Sequence, residues 1–117
     1  MSITTPRLDL MSRLLDVAAM RHDVIAQNVA NINTPGYTTL EVNFEDALRE
    51  SLANKQDASA AKAEVVEGTG GLPREDGNNV DVDMEMARLQ KNSLYFKVYT
   101  QIMANELAQY RSAITGR

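Results

Sequence analysis

The chain has 117 residues and a formal charge of −4, from 12 basic and 16 acidic residues; 44% of its residues are hydrophobic, with two Phe, four Tyr, no Trp and no Cys. That length allows one domain, and so small a core with so few large side chains points to a partner that completes it. An acidic balance without Lys or Arg runs argues against a nucleic-acid ligand, and the lack of cysteine excludes disulfides, thiol catalysis and Cys-based zinc sites.

The opening "MSITTPRLDLM" has neither a basic n-region nor an apolar stretch of signal-peptide length. No segment reaches the roughly 18 apolar residues that span a bilayer. A cytosolic chain, or one exported with its N-terminus uncleaved, is the expectation.

A first helix is predicted over 6–33, with Thr5 as N-cap and Pro6 at the first helical position, where its missing N–H costs nothing. Leu8, Met11, Leu15, Ala18, His22, Ile25, Val29 and Ile32 follow one another in alternating steps of three and four, a heptad seam. Leu10, Leu14, Val17 and Val24 widen that seam, so the helix can meet more than one neighbour. Asn28, Asn31, Asn33 and Thr34 then crowd its end. Pro35 pushes Thr34 out of the helical region, and Pro35-Gly36 suits the centre of a type II turn. Tyr37 directly follows that turn and can anchor it to a helix face. Asn28 and Asn31 lie three apart on one face, and the residues alone leave open a frayed polar helix end or a specific contact.

Residues 34–52 read as the turn, a short extended piece marked by the alternation Leu40, Val42, Phe44, and a short helix capped by Asn43 with Phe44, Leu48 and Leu52 stepping by four. Residues 53–79 hold four of the six glycines and only three large aliphatics. Such a stretch does not bury enough apolar area to offset its ordering entropy, so a mobile, deletable loop is expected, with at most a short hairpin around Val65-Val66. The last segment, 80–115, reads as a second long helix. Val82, Met86, Leu89, Ser93, Phe96, Thr100, Met103, Leu107, Tyr110 and Ile114 step by four and three to its end, Tyr95, Tyr99 and Ile102 form a second stripe, and Gly116 closes it.

Chemistry-bearing constellations are scarce. The single histidine, His22, excludes a His-dependent triad or a two-His metal site; it reads as a seam or solvent residue. "DGNNVDVDME" offers Asp76, Asp81, Asp83 and Glu85, but it lacks the EF-hand spacing, and Asp81 and Asp83 serve instead as cap and first-turn acids of the second helix. "EGTGGLP" has glycines but no adjacent Lys-Ser/Thr and no strand-to-helix context. No catalytic residue, cofactor, metal or small-molecule substrate is expected.

"ANINTPGY", Ala30 to Tyr37, matches the Ala-Asn-x-x-Thr-Pro-Gly-Tyr signature of bacterial flagellar rod and hook proteins. Together with the spacing to Phe44, the "DGNNVDVDMEMA" segment and the closing amphipathic helix, the chain resembles the basal-body rod proteins of the FlgB type, over about 80 residues at its two ends. Longer relatives carry a further domain between the helices, where this chain has only a loop. The resemblance implies an exported, non-enzymatic structural subunit of the proximal rod in the periplasmic space. It implies as partners copies of itself, other rod proteins, the membrane-embedded basal-body ring with its adaptor protein, and the flagellar type III export apparatus, which leaves the N-terminus uncleaved.

The expected fold is therefore all-α: one domain with two long amphipathic terminal helices in a coiled-coil-like pair, joined by a turn, a short extended and helical piece, and a flexible loop. Two groups of residues carry the expectation. The turn motif comprises Asn28, Asn31, Thr34, Pro35, Gly36 and Tyr37; the assembly seam comprises Leu8, Met11, Leu15, Ala18, Ile25, Val29 and Ile32 on the first helix and Met86, Leu89, Phe96, Met103, Leu107, Tyr110 and Ile114 on the second. A soluble coiled-coil adaptor or export chaperone is the alternative, and a calcium-binding module stands behind it.

Overall fold

In the computed structural model, which describes residues 6–116, helix α1 (Pro6–Ala30) is followed by strand β1 (Leu40–Asn43), helix α2 (Glu45–Ala53), a single 3₁₀ turn (Ala58–Ala60), strand β2 (Glu64–Glu67) and helix α3 (Val82–Thr115). The expected cap Thr5 lies outside the described residues. At 34 residues α3 is about 51 Å long and α1, with 25, about 37 Å.

The two long helices run antiparallel. Arg7 at the start of α1 meets Glu106 near the end of α3, the Ala18 carbonyl accepts from Asn92 in mid-helix, and Asn28 reaches Glu85 in the first turn of α3. That register leaves the last turns of α3 projecting past Pro6. The molecule is correspondingly elongated, 64 × 31 × 18 Å.

An all-α fold is corrected by the antiparallel pair β1–β2, in register Leu40↔Glu67, Glu41↔Val66, Val42↔Val65 and Asn43↔Glu64. Val65 and Val66 thus pair with a strand more than twenty residues earlier, in place of a local hairpin. Each strand has four residues and is too short to persist alone, and a strand's stability lies in its partner.

The core forms between α1 and the middle of the chain: Val17 and Val24 from α1 pack with Val42, Phe44 and Ala61, flanked by Leu14, Leu40, Leu48 and Ala63. The residues that widened the α1 seam are the ones that build it. Phe44 is fully buried and directly precedes α2, so the expected cap Asn43 belongs to β1, and no side chain caps that helix. The 53–79 segment is tied to this core. Ala58 and Ala61 are buried, Asp57 accepts from the Ala58 N–H, and Arg13 of α1 donates to the Ser59 and Ala61 carbonyls at 2.9 Å each. Alanine adds little apolar area, but its small size lets the backbone lie close to α1, where an arginine can satisfy its carbonyls.

Candidate functional site

Asn28, two residues before the end of α1, is completely buried and uses its whole amide. Its Nδ2 donates to the Leu40 carbonyl at 2.8 Å and to Glu85 Oε2 at 3.2 Å; its Oδ1 accepts from the Leu40 N–H at 3.0 Å and the Tyr37 hydroxyl at 2.8 Å. The paired bonds to Leu40 imitate a neighbouring strand, so one side chain satisfies the β1 edge that faces α1. Arg21 does the same for the Val42 carbonyl while its guanidinium holds Glu45 at 2.6 Å. Partial burial pushes the Glu45 carboxyl up, but the hydrogen bond and charge of Arg21 prevail and hold it below the usual carboxylate value.

Glu85 is the second buried hub. It accepts from Thr39 Oγ1 at 2.6 Å, Arg88 at 2.8 Å and Asn28, so three donors compensate its lost hydration. Tyr37 closes the cluster; burial, and then the nearby Glu85 charge, raise its pKa above the ordinary 10.0.

A second set of contacts caps the end of α1. Helix ends leave carbonyls without partners, and here they are collected by residues that follow in sequence more than forty positions later. Asn78, fully buried, donates to the Asn31 and Thr34 carbonyls at 2.9 and 2.8 Å, while its own Oδ1 accepts from Val80 N–H. Arg74 donates to the Ile32 and Val80 carbonyls. Asn79 Oδ1 accepts from the Thr39 N–H at 2.7 Å. Asn31 itself acts locally, donating to Gln27 O and accepting from Thr34 Oγ1.

The turn at Pro35-Gly36 has the Tyr37 N–H donating to the Thr34 carbonyl and Gly36 at φ +74°, the signature of a type II turn. Gly36 N–H donates to the Asp76 carbonyl at 2.7 Å, and a Cβ on Gly77 (φ +84°) would stand 3.5 Å from the Gly36 Cα. "TPGY" and "DGNN" are thus two faces of one joint. Asp81 then starts α3 by accepting from the Asp83 and Met84 N–H groups. Sequence reasoning missed Thr39, Arg74, Asn78 and Asn79, and it weighed Glu85 only as a calcium ligand, not as a buried hub. The available signal was the run of amides in "DGNN", which matches the unsatisfied carbonyls of a helix that stops before a proline.

The seam residues divide. On α1, Leu8, Ala18 and Ile25 are buried and Met11, Leu15, Val29 and Ile32 half-buried. On α3, Leu89, Met103 and Tyr110 are half-buried, whereas Met86, Phe96, Leu107 and Ile114 are exposed. The line that α3 turns toward α1 is the neighbouring one and is largely polar: Glu85, Arg88, Asn92, Tyr99 and Glu106. The α3 seam is therefore only partly covered within one chain. A second exposed stripe, Leu94, Tyr95, Val98 and Ile102, flanks the inward face on its other side, with Tyr95 stacked on Tyr99 at 6.0 Å. His22 is exposed.

An open groove of about 490 Å³ lies between the sheet and the first half of α3, over Val24, Ile25 and Leu40. Its rim charges pair with one another, Arg21 with Glu45 and Arg88 with Glu41, so it is braced by internal ion pairs.

Comparison with known proteins bears on the same region. The family described as "Flagella basal body rod protein" matches residues 15–38, the second half of α1 and the turn. The chain is similar along most of its length to flagellar basal body rod protein FlgB of Borrelia hermsii, at 30% identity over 90% of this chain and 93% of that one. It is also similar to FlgB of Bacillus subtilis, at 26% identity over 99% and 98%, and to FlgB of Escherichia coli K12, at 25% over 86% of each.

Proposed function

The chain belongs to the family of flagellar basal body rod protein FlgB, structural subunits of the proximal rod, and we propose that it builds that rod through the outward apolar stripes of α3. The observation that carries this reading is the orientation of α3. Its polar line is spent on contacts with α1 and the middle segment, and Met86, Phe96, Leu107 and Ile114 are left exposed. Helices of neighbouring subunits supply the missing side, with the half-buried Met11, Leu15, Val29 and Ile32 of α1 and Leu89, Met103 and Tyr110 of α3 completing the layer, while Leu8, Ala18 and Ile25 are already buried within the chain. The neighbours are copies of this chain and other rod proteins; the membrane-embedded ring with its adaptor anchors them, and the type III export apparatus delivers the chain to the periplasmic space with its N-terminus uncleaved.

The turn motif has a mechanical part in this reading. Torque passes through the rod only if every subunit holds one angle between its helices and its middle segment. Asn28, Tyr37 and Gly36, locked to Glu85 and Asp76, supply that rigidity; Asn31, Thr34 and Pro35 end α1 at a defined residue.

The test is Leu107→Asp, followed in the secreted fraction and in purified basal bodies, with Gln109→Asp as control. A charge buried without a partner is strongly unfavourable, so Leu107→Asp is expected in the secreted fraction and absent from basal bodies, while the control enters both. Leu107→Asp found at normal levels in basal bodies would show that this stripe is not an interface.

A further inference from the structure

The small sheet has one filled edge and one open edge. In an antiparallel pair, directly opposed residues alternately bond each other and turn their backbone groups outward. Gly68 N–H donates to the Thr39 carbonyl at 2.9 Å, one step beyond the pair Leu40↔Glu67, so that pair and Val42↔Val65 are the outward ones. On the β1 side α1 takes up the outward groups. Asn28 bonds both the N–H and the carbonyl of Leu40, and Arg21 bonds the carbonyl of Val42. On the β2 side the N–H and carbonyl groups of Val65 and Glu67 point away from β1, and nothing among the described residues bonds them. The sheet ends in groups ready to bond a third strand, and three strands persist where two are marginal.

The side chains say what kind of strand fits. Val42, 6% exposed, and Val65, 48% exposed, oppose each other and share one face, so an apolar surface that starts in the core runs uncovered to the edge. Glu67 lies two residues further on the same face and Glu64 on the other; both are exposed, and neither makes an ion pair among the described residues. Two copies of β2 laid side by side would bring four such carboxylates along one seam, so the acids deter pairing with a second copy. A strand carrying a basic residue is attracted instead. Lys62, exposed and also without an ion pair among these residues, precedes β2, which places that basic residue at the Glu67 end. Glu41, on the neighbouring strand, is already paired with Arg88.

We propose that the open edge of β2 takes up one extended segment of a different basal-body protein, with an apolar residue opposite Val65 and a Lys or Arg, two positions away, opposite Glu67. It rests on the rod reading above, which sets the chain among such proteins. To the stripes of α3 it adds a backbone-to-backbone contact made by the middle of the chain.

The experiment exploits the cysteine-free chain, in which one introduced thiol is unique. Glu64→Cys is labelled with a thiol-specific benzophenone and irradiated in isolated basal bodies. The expected adduct is with a protein other than this chain, mapped by mass spectrometry to a segment with an apolar and a basic residue two apart. Val65→Pro removes an outward N–H without touching a β1–β2 bond, and Glu67→Lys reverses the charge. Each, added to the probe variant, should lower the adduct yield at least several-fold while leaving the circular dichroism of the isolated chain unchanged. The unsubstituted chain gives a second reading: the Val65 and Glu67 amides should exchange freely in isolation and many-fold more slowly in basal bodies. An adduct with a second copy, no adduct from a probe present at normal levels, a yield that neither variant lowers, or equal exchange in the two states would overturn the edge contact and leave the rod reading standing. Absence of the unsubstituted chain from basal bodies would sink both.

Discussion

The turn end and the distal half of α3 treat polarity in opposite ways. At the turn end, Asn28, Thr39, Asn78 and Glu85 are wholly buried and nearly every donor and acceptor is matched within the chain. Along the distal half of α3, Phe96, Val98, Ile102, Leu107 and Ile114 are exposed, Met103 and Tyr110 are half-buried, and Glu106 pairs with Arg7 of α1. The difference teaches where specificity and affinity reside. Matched buried polar groups select one geometry because any other leaves them unsatisfied; exposed apolar stripes supply association energy with little directional preference. The joint is finished within the subunit, and in the proposed rod the stripe is finished by the assembly.

The comparison breaks first at Glu85. Glu85→Ala strands Arg88, Thr39 and Asn28, and removing one partner of a buried pair costs about 3–5 kcal/mol. Thermal unfolding of the isolated chain should reveal that loss, whereas Leu107→Asp, half exposed there, should change stability by no more than about 0.5 kcal/mol. Equal losses would mean that the distal half is as self-sufficient as the joint.

Asn78→Ala should cost less, on the order of 2–3 kcal/mol, because it frees the Asn31 and Thr34 carbonyls near the surface, where water can reach them in part. Hydrogen exchange should speed up at 31–37 and remain unchanged beyond residue 96. Faster exchange throughout α3 would show that the two regions unfold together.

Gly36→Val is smaller again. A Cβ there meets nothing within 4 Å, so the cost is confined to the positive φ, about 1–2 kcal/mol for a β-branched residue. Normal stability in that variant would refute the type II turn.

The smallest effect is in alkali. The pKa of Tyr37 is raised in the fold, so the stability held by its neutral hydroxyl is fully present below the ordinary value of 10.0 and is lost as pH climbs through the higher folded value. Tyr37→Phe should lower stability modestly at neutral pH, through the lost bond to Asn28, and flatten its decline above pH 10. An unchanged alkaline slope would place the titrating group elsewhere.

Much of the architecture is written locally. The heptad steps, Pro6, Pro35 and Gly116 outline two long helices, because helix periodicity and its stop signals act over a few residues. The Pro-Gly turn is equally local, and the family resemblance follows from short motifs, "ANINTPGY" and "DGNNVDVDMEMA", each contiguous in sequence. What stays hidden is whatever depends on residues far apart. Val65 and Val66 look like loop until Val42 and Glu41 lie beside them. Ala58 and Ala61 look too small to matter until α1 passes close by.

The sequence by itself determined two amphipathic helices, a hard turn between the first helix and the rest, and a surface in need of neighbours. Only the tertiary structure decided which line of α3 faces inward. Periodicity weighs apolar residues alike and would pair seam with seam, but Glu85 and Asn92 find donors and acceptors on α1 and on β1's neighbour Thr39. Burying those matched groups rotates α3 so that its apolar stripe is left outside, because an unsatisfied carboxylate would cost more than exposed methyl groups.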